Sequence, residues 1–156
     1  MNDFTRYQLP AILYAVVIFI ASSIPSLSPP PIGFEWDDKI YHFFEYALFG
    51  YLCARAFYYQ RNRVLQDFAM IIALVVGSLY AVSDELHQSL VPGRDADVGD
   101  FVADVLGVIA AVVFFSRQVA ARKRPGSRNS SRKSRLPAED EAADLRPVSE
   151  GNGKIR

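Results

Sequence analysis

The chain has 156 residues, 51% of them hydrophobic, and its 17 Lys and Arg balance its 17 Asp and Glu. That length suits one domain, and the single cysteine, Cys53, excludes an intrachain disulfide. The zero sum hides an asymmetry: residues 1–116 hold 6 basic against 12 acidic side chains, whereas residues 117–156 hold 11 against 5.

The apolar residues fall in four runs separated by short polar segments, which is the pattern of a multi-spanning helical membrane protein. The sequence therefore predicts an all-α, polytopic membrane protein, with four transmembrane helices over residues 7–116 and a disordered basic C-terminal tail over 117–156. The first run, residues 7–24, has the length of a membrane-spanning helix and an apolar core longer than a signal peptide's. Residues 25–39 are too proline-rich for a helix and read as an extended loop, with Phe34 and Trp36 as interface anchors.

The second run, residues 40–59, is rich in aromatics but includes His42, Glu45 and Arg55. The third covers residues 67–88 and ends in a polar cluster, and the fourth covers residues 100–116. Pro92 and Gly93 predict a tight turn between the last two, holding Arg94 near the acids that follow. Asp95 and Asp97 read as solvated loop residues. The tail is rich in Ser, Arg, Pro and Gly and has too little apolar surface to fold. It abuts a membrane helix, so anionic lipid heads fit it better than a nucleic acid.

Arg6, Arg61, Arg63, Arg117, Arg122, Lys123 and Arg124 fall on one side of a four-span arrangement, against only Lys39 and Arg94 on the other. The bias of basic residues toward the cytoplasm then predicts a plasma (inner) membrane protein with both termini cytoplasmic. Three polar clusters are brought to one depth near the outer interface. Asp38, His42 and Glu45 follow at i, i+4 and i+7 on one helix face, with Lys39 and Tyr46 beside them. Asp84, His87 and Gln88 share a face of the third helix, with Glu85 a step round; Asp100, Asp104 and Gly107 share a face of the fourth. Together with Arg94 these residues form one candidate site, and Gly107 would let a neighbouring helix approach beneath the carboxylates.

At these residues the chain resembles the VanZ-like family, named for a membrane protein associated with teicoplanin resistance. Asp38, Lys39, His42 and Tyr46 match its first block. Glu85, Gln88, Pro92, Gly93 and Arg94 match its second, and Asp100 and Gly107 its third. Asp104 stands where the family usually has Asn, which adds a negative charge, and Ala111 stands where a second Gly is common. The resemblance implies a small helical membrane domain associated with the cell envelope and with low-level glycopeptide tolerance, and it supplies no reaction.

Three functions fit the pattern. The leading one binds or handles a lipid-linked envelope component, with Lys39 and Arg94 on phosphate and the carboxylates on amine or sugar hydroxyls. An alternative is a metal-assisted hydrolase or transferase acting on lipid head groups, for which His and carboxylate donors suit a divalent ion. No nucleophile signature accompanies them, so the pattern leans away from an enzyme and requires no cofactor. The third is a non-catalytic partner in an envelope complex, its charges clamping helix ends.

Overall fold

The computed structural model describes residues 2–26, 33, 36–94 and 96–123. A π-helical turn, Phe4–Gln8, leads into helix α1, Leu9–Ser22, with Pro10 in its first turn where a missing N–H costs nothing. Then follow α2 (Asp37–Tyr58), a short α3 (Arg63–Asp67), α4 (Ala69–Gln88) and α5 (Val98–Lys123). The described residues form helices and turns only.

Among the described residues three segments, and not the four expected, are long and apolar enough to cross a membrane: Phe4–Ser22, Ala69–Gln88 and Val98–Lys123. The exception is α2. Its 22 residues are long enough, but Tyr41, His42, Glu45, Tyr46, Tyr51, Arg55 and Tyr58 leave no sufficiently apolar stretch. The run was expected to form one of four spanning helices; α2 turns Tyr46, Phe49, Gly50, Cys53, Ala54 and Ala56 inward against its neighbours. The helix is set among α1, α4 and α5, and protein covers much of its polar surface.

Other boundaries also move. Asp37 begins α2, so the expected loop through residue 39 ends earlier, at an exposed Trp36; Phe34 lies outside the described residues. The five-residue α3 was not anticipated. Its start is fixed by Asn62, whose side-chain oxygen accepts from the N–H groups of Val64 and Leu65. At its other end α5 runs to Lys123, well past residue 116, and the expected disordered tail from 124 onward lies outside the described residues.

Small residues bring the helices together. Val108 of α5 is fully buried between Gly50 of α2 and Gly77 of α4. A side-chain carbon at Gly50 would stand 2.9 Å from the Val108 Cα, and one at Gly77 would stand 2.8 Å from its Cγ1. The residue just before Val108, Gly107, lies directly on the α2 backbone at Phe43 and Ala47. Packing of this kind needs no apolar driving force, which lipid would not supply.

The helices have two chemically different ends. Arg55 lies over the Tyr7 ring and Lys123 over Tyr58, while Tyr7 stacks on Tyr59 and Gln8 donates to the Ala56 carbonyl. The start of α1, the end of α2 and the end of α5 thus meet at a basic end. The end of α1, the start of α2, the end of α4 and the start of α5 meet at the opposite, acidic end.

Candidate functional site

Every candidate residue read from the sequence is at the acidic end, in three linked groups. In the first, the buried Asp84 accepts from Ser22 of α1 at 2.5 Å and from the Gln88 amide at 3.1 Å. Arg94 donates to the Gln88 carbonyl at 3.0 Å. The turn before it has the Arg94 N–H bonded to the Val91 carbonyl, with Pro92 second and Gly93 third at φ +77°. A left-handed third position is what glycine provides in a type II turn, so the Pro-Gly pair fixes where Arg94 emerges. His87 lies on the α1 side, 2.9 Å from the Ser23 hydroxyl and stacked on Phe19.

The second group surrounds Lys39. Its ammonium lies 2.6 Å from Asp97, 3.0 Å from Asp100 and 3.3 Å from Asp38. These carboxylates, Asp97 foremost, hold the ammonium above the usual lysine range even though burial pulls the other way. In return Lys39, aided by the Gly99 N–H at 2.7 Å, holds the Asp97 carboxyl below its ordinary range. Asp97 was expected to be a solvated loop residue. It remains half-exposed but caps α5, pairs with Lys39 and donates its backbone N–H to Glu85 at 3.1 Å. Asp95 lies outside the described residues.

The third group is the innermost. His42 Nδ1 is 3.0 Å from Asp104 Oδ1, and its Nε2 is 4.0 Å from Asp100 Oδ2. Asp104 is fully buried and Glu85 is 8% exposed, yet each keeps one carboxylate oxygen, Oδ2 and Oε1, without a protein hydrogen-bond partner. One ligand atom from each of His42, Glu85 and Asp104 lies within 4.8 Å of the other two. Glu45 has His42, Asp84, Asp104 and Arg94 as electrostatic neighbours. The fully buried Tyr46 has its hydroxyl beside Asp84, with Asp104 also near, but short of full hydrogen-bond geometry.

Three contributors were not singled out from the sequence. Ser22 and Ser23 close the α1 side, and their signal was their position at the end of the first run, level with the polar end of the third. Asp97 carried a signal in the spacing Asp97-Val98-Gly99-Asp100, a helix-capping residue ahead of an acidic first turn.

An all-α, polytopic fold with three membrane-crossing segments, and with ionisable groups buried where its helices end, defines an integral membrane protein associated with the lipid bilayer. Residues 9–120 match the VanZ/LLP1 family, and the chain belongs to it. Neither the curated proteins nor the solved structures contain a match.

Proposed function

We propose that the acidic end is a divalent-cation site serving hydrolysis or group transfer on lipid head groups, with His42, Glu85 and Asp104 as protein ligands. One observation carries this reading. Glu85 and Asp104, nearly buried on α4 and α5, each keep a carboxylate oxygen without a hydrogen-bond partner among the described residues, and one ligand atom from each lies within 4.8 Å of one from the α2 imidazole of His42. Buried carboxylate oxygens left unpaired are costly, and a cation is the partner that offsets the most at once. One nitrogen and two oxygens suit zinc or manganese better than calcium.

A bound divalent ion would polarise a phosphoryl oxygen and lower the pKa of a coordinated water. The protein's own groups supply the frame. The Asp97 N–H fixes one Glu85 oxygen while the other keeps no hydrogen-bond partner, and Asp104 orients the His42 ring. The same geometry weighs against a binding module that holds phosphate through Lys39, because three carboxylates already engage that ammonium.

The end carrying Arg55, Arg61, Arg63, Arg117, Arg122 and Lys123 is assigned to the cytoplasm on the positive-inside bias, with the acidic end at the outer leaflet of the plasma membrane. Action there on a lipid-linked envelope component accords with the glycopeptide tolerance attached to the family's name.

The test is metal analysis of the full chain purified in detergent, stripped with chelator and reloaded with zinc or manganese. About one equivalent should be retained per chain. It should fall several-fold in Glu85→Gln and Asp104→Asn but persist in His87→Gln, which alters the histidine on the α1 side. A wild-type chain that retains no stoichiometric metal, or carboxamide variants that retain it fully, would end this reading.

A further inference from the structure

Between the last turns of α4 and the first turns of α5 lies a cleft of about 310 Å³, lined by Val82, Glu85, Leu86, Ala96, Asp97, Val98 and Phe101. Its walls are almost wholly apolar. Val82 and Leu86 are one turn apart on α4, and Val98 and Phe101 are one turn apart on α5. The polar boundary is formed by Glu85 and by Asp97, whose N–H holds one Glu85 oxygen. Glu85 therefore belongs both to this cleft and to the group of donors within the helices.

We infer that this cleft receives the hydrocarbon chain of a lipid that enters sideways from the bilayer, its polar head reaching the Glu85 carboxylate. The inference rests on the reading of Glu85 as a cation ligand, and it adds where the substrate lies and that the substrate is a chain-bearing amphiphile. Continuity with the bilayer-facing surface argues for a lipid chain as the occupant. Val82 is 41% exposed, Leu86 64% and Val98 79%, and they sit on two helices apolar enough to cross the membrane. On these two helices Leu79 and Val102 extend the same exposed strip away from the cleft. In a bilayer that strip is covered by hydrocarbon, so a chain can slide from it into the cleft without crossing a polar barrier.

The geometry also separates this cleft from an ordinary lipid-facing groove. A chain end lying anywhere along the strip meets only apolar groups. A lipid whose chain fills the cleft brings its first polar atoms against Glu85 and the Ala96–Asp97 backbone. An anionic or phosphate-bearing head would be attracted there only through a cation held by Glu85, which links occupancy of the cleft to occupancy of the donor group.

The experiment uses the full chain in vesicles of phosphatidylethanolamine and phosphatidylglycerol containing a small fraction of phospholipid with a photoactivatable diazirine on one chain. Cross-linked residues are mapped by mass spectrometry. The comparison is between Leu86 and Ile20, which is 55% exposed on α1 and belongs to the same end, because Ser23 of α1 contacts His87 of α4. We expect labelling of Leu86, Val98 and Phe101 in several-fold excess over Ile20, and loss of that excess in Ala96→Trp, which fills the cleft. Equal labelling of Leu86 and Ile20 in the wild-type chain would overturn the inference, and this comparison needs no variant to fold. Metal retention by the same preparations separates the two ideas. Full metal content with uniform labelling removes the cleft and leaves the cation site; concentrated labelling without metal does the reverse.

Discussion

Replacing Gly107 by Ala tests whether the candidate site depends on the close approach of α2 and α5. The added methyl would overlap the Phe43 carbonyl oxygen and stand 2.9 Å from the Ala47 nitrogen, both backbone atoms of α2. No rotamer change relieves a backbone contact, so the helices must part by about 1 Å to reach ordinary van der Waals separation. Overpacking of this severity costs up to about 3 kcal/mol. Exchanging Gly for Ala inside a helix returns about 1 kcal/mol, which leaves a net loss of about 2 kcal/mol. The site should feel the displacement directly. His42 precedes Phe43, and its 3.0 Å bond to Asp104, three residues before Gly107, would stretch beyond hydrogen-bonding range. Unfolding in mixed micelles titrated with SDS, followed by circular dichroism, should record a folded-to-unfolded ratio lowered about 30-fold. A Gly107→Ala chain as stable as wild type, or more stable, would refute the claim that backbone contact at Gly107 sets the α2–α5 distance.

Two further substitutions separate buried polar groups that are satisfied from those that are not. Ser22→Ala removes the 2.5 Å bond to the buried Asp84 and should destabilise by about 1–3 kcal/mol in the same titration, the penalty for leaving a buried acceptor short of a donor; an unchanged midpoint would mean that the bond contributes nothing. Tyr46→Phe removes a buried hydroxyl that lies beside Asp84 without full hydrogen-bond geometry, so stability should hold or rise by up to about 1 kcal/mol. A clear loss on Tyr46→Phe would mean that the hydroxyl does bond, with Asp84 the acceptor beside it.

The membrane class and three of the helices were legible because a soluble core rarely needs an unbroken hydrophobic run of spanning length. The error at α2 has a specific cause. Phenylalanine and tyrosine look alike in a count of aromatic residues, but the four tyrosines of α2, with His42, Glu45 and Arg55, make it a helix to be surrounded by protein. The short α3 carries no periodic signal in five residues, and only the Asn62 cap foretells it. Within the site, helical spacing separated Glu85 correctly from Asp84, His87 and Gln88. A residue one step further along a helix turns about 100° away, and Glu85 accordingly reaches Asp97 while Asp84 reaches Ser22. Spacing within one helix carries no record of contacts made by another, so neither serine was marked as a partner.

The departure at Asp104 bears most directly on chemistry. An Asn at this position would offer one carbonyl oxygen and one amide donor, and the carboxylates of Glu85 and Asp100 are acceptors to which that donor could bond. Asp104 instead offers two oxygens. One is used to orient His42, and the other has no protein partner. Its burial is complete, which makes the extra negative charge costly unless something positive shares the space. Lys39 does not serve, because its ammonium is committed to Asp38, Asp97 and Asp100. A protonated His42 would balance one carboxylate, and Arg94, an electrostatic neighbour of Glu45, is the remaining arginine at this end among the described residues. Among the described residues, Asp38, Glu45, Asp84, Glu85, Asp97, Asp100 and Asp104 thus face Lys39, Arg94 and at most two protonated histidines, an excess of negative charge that supports the cation site proposed above.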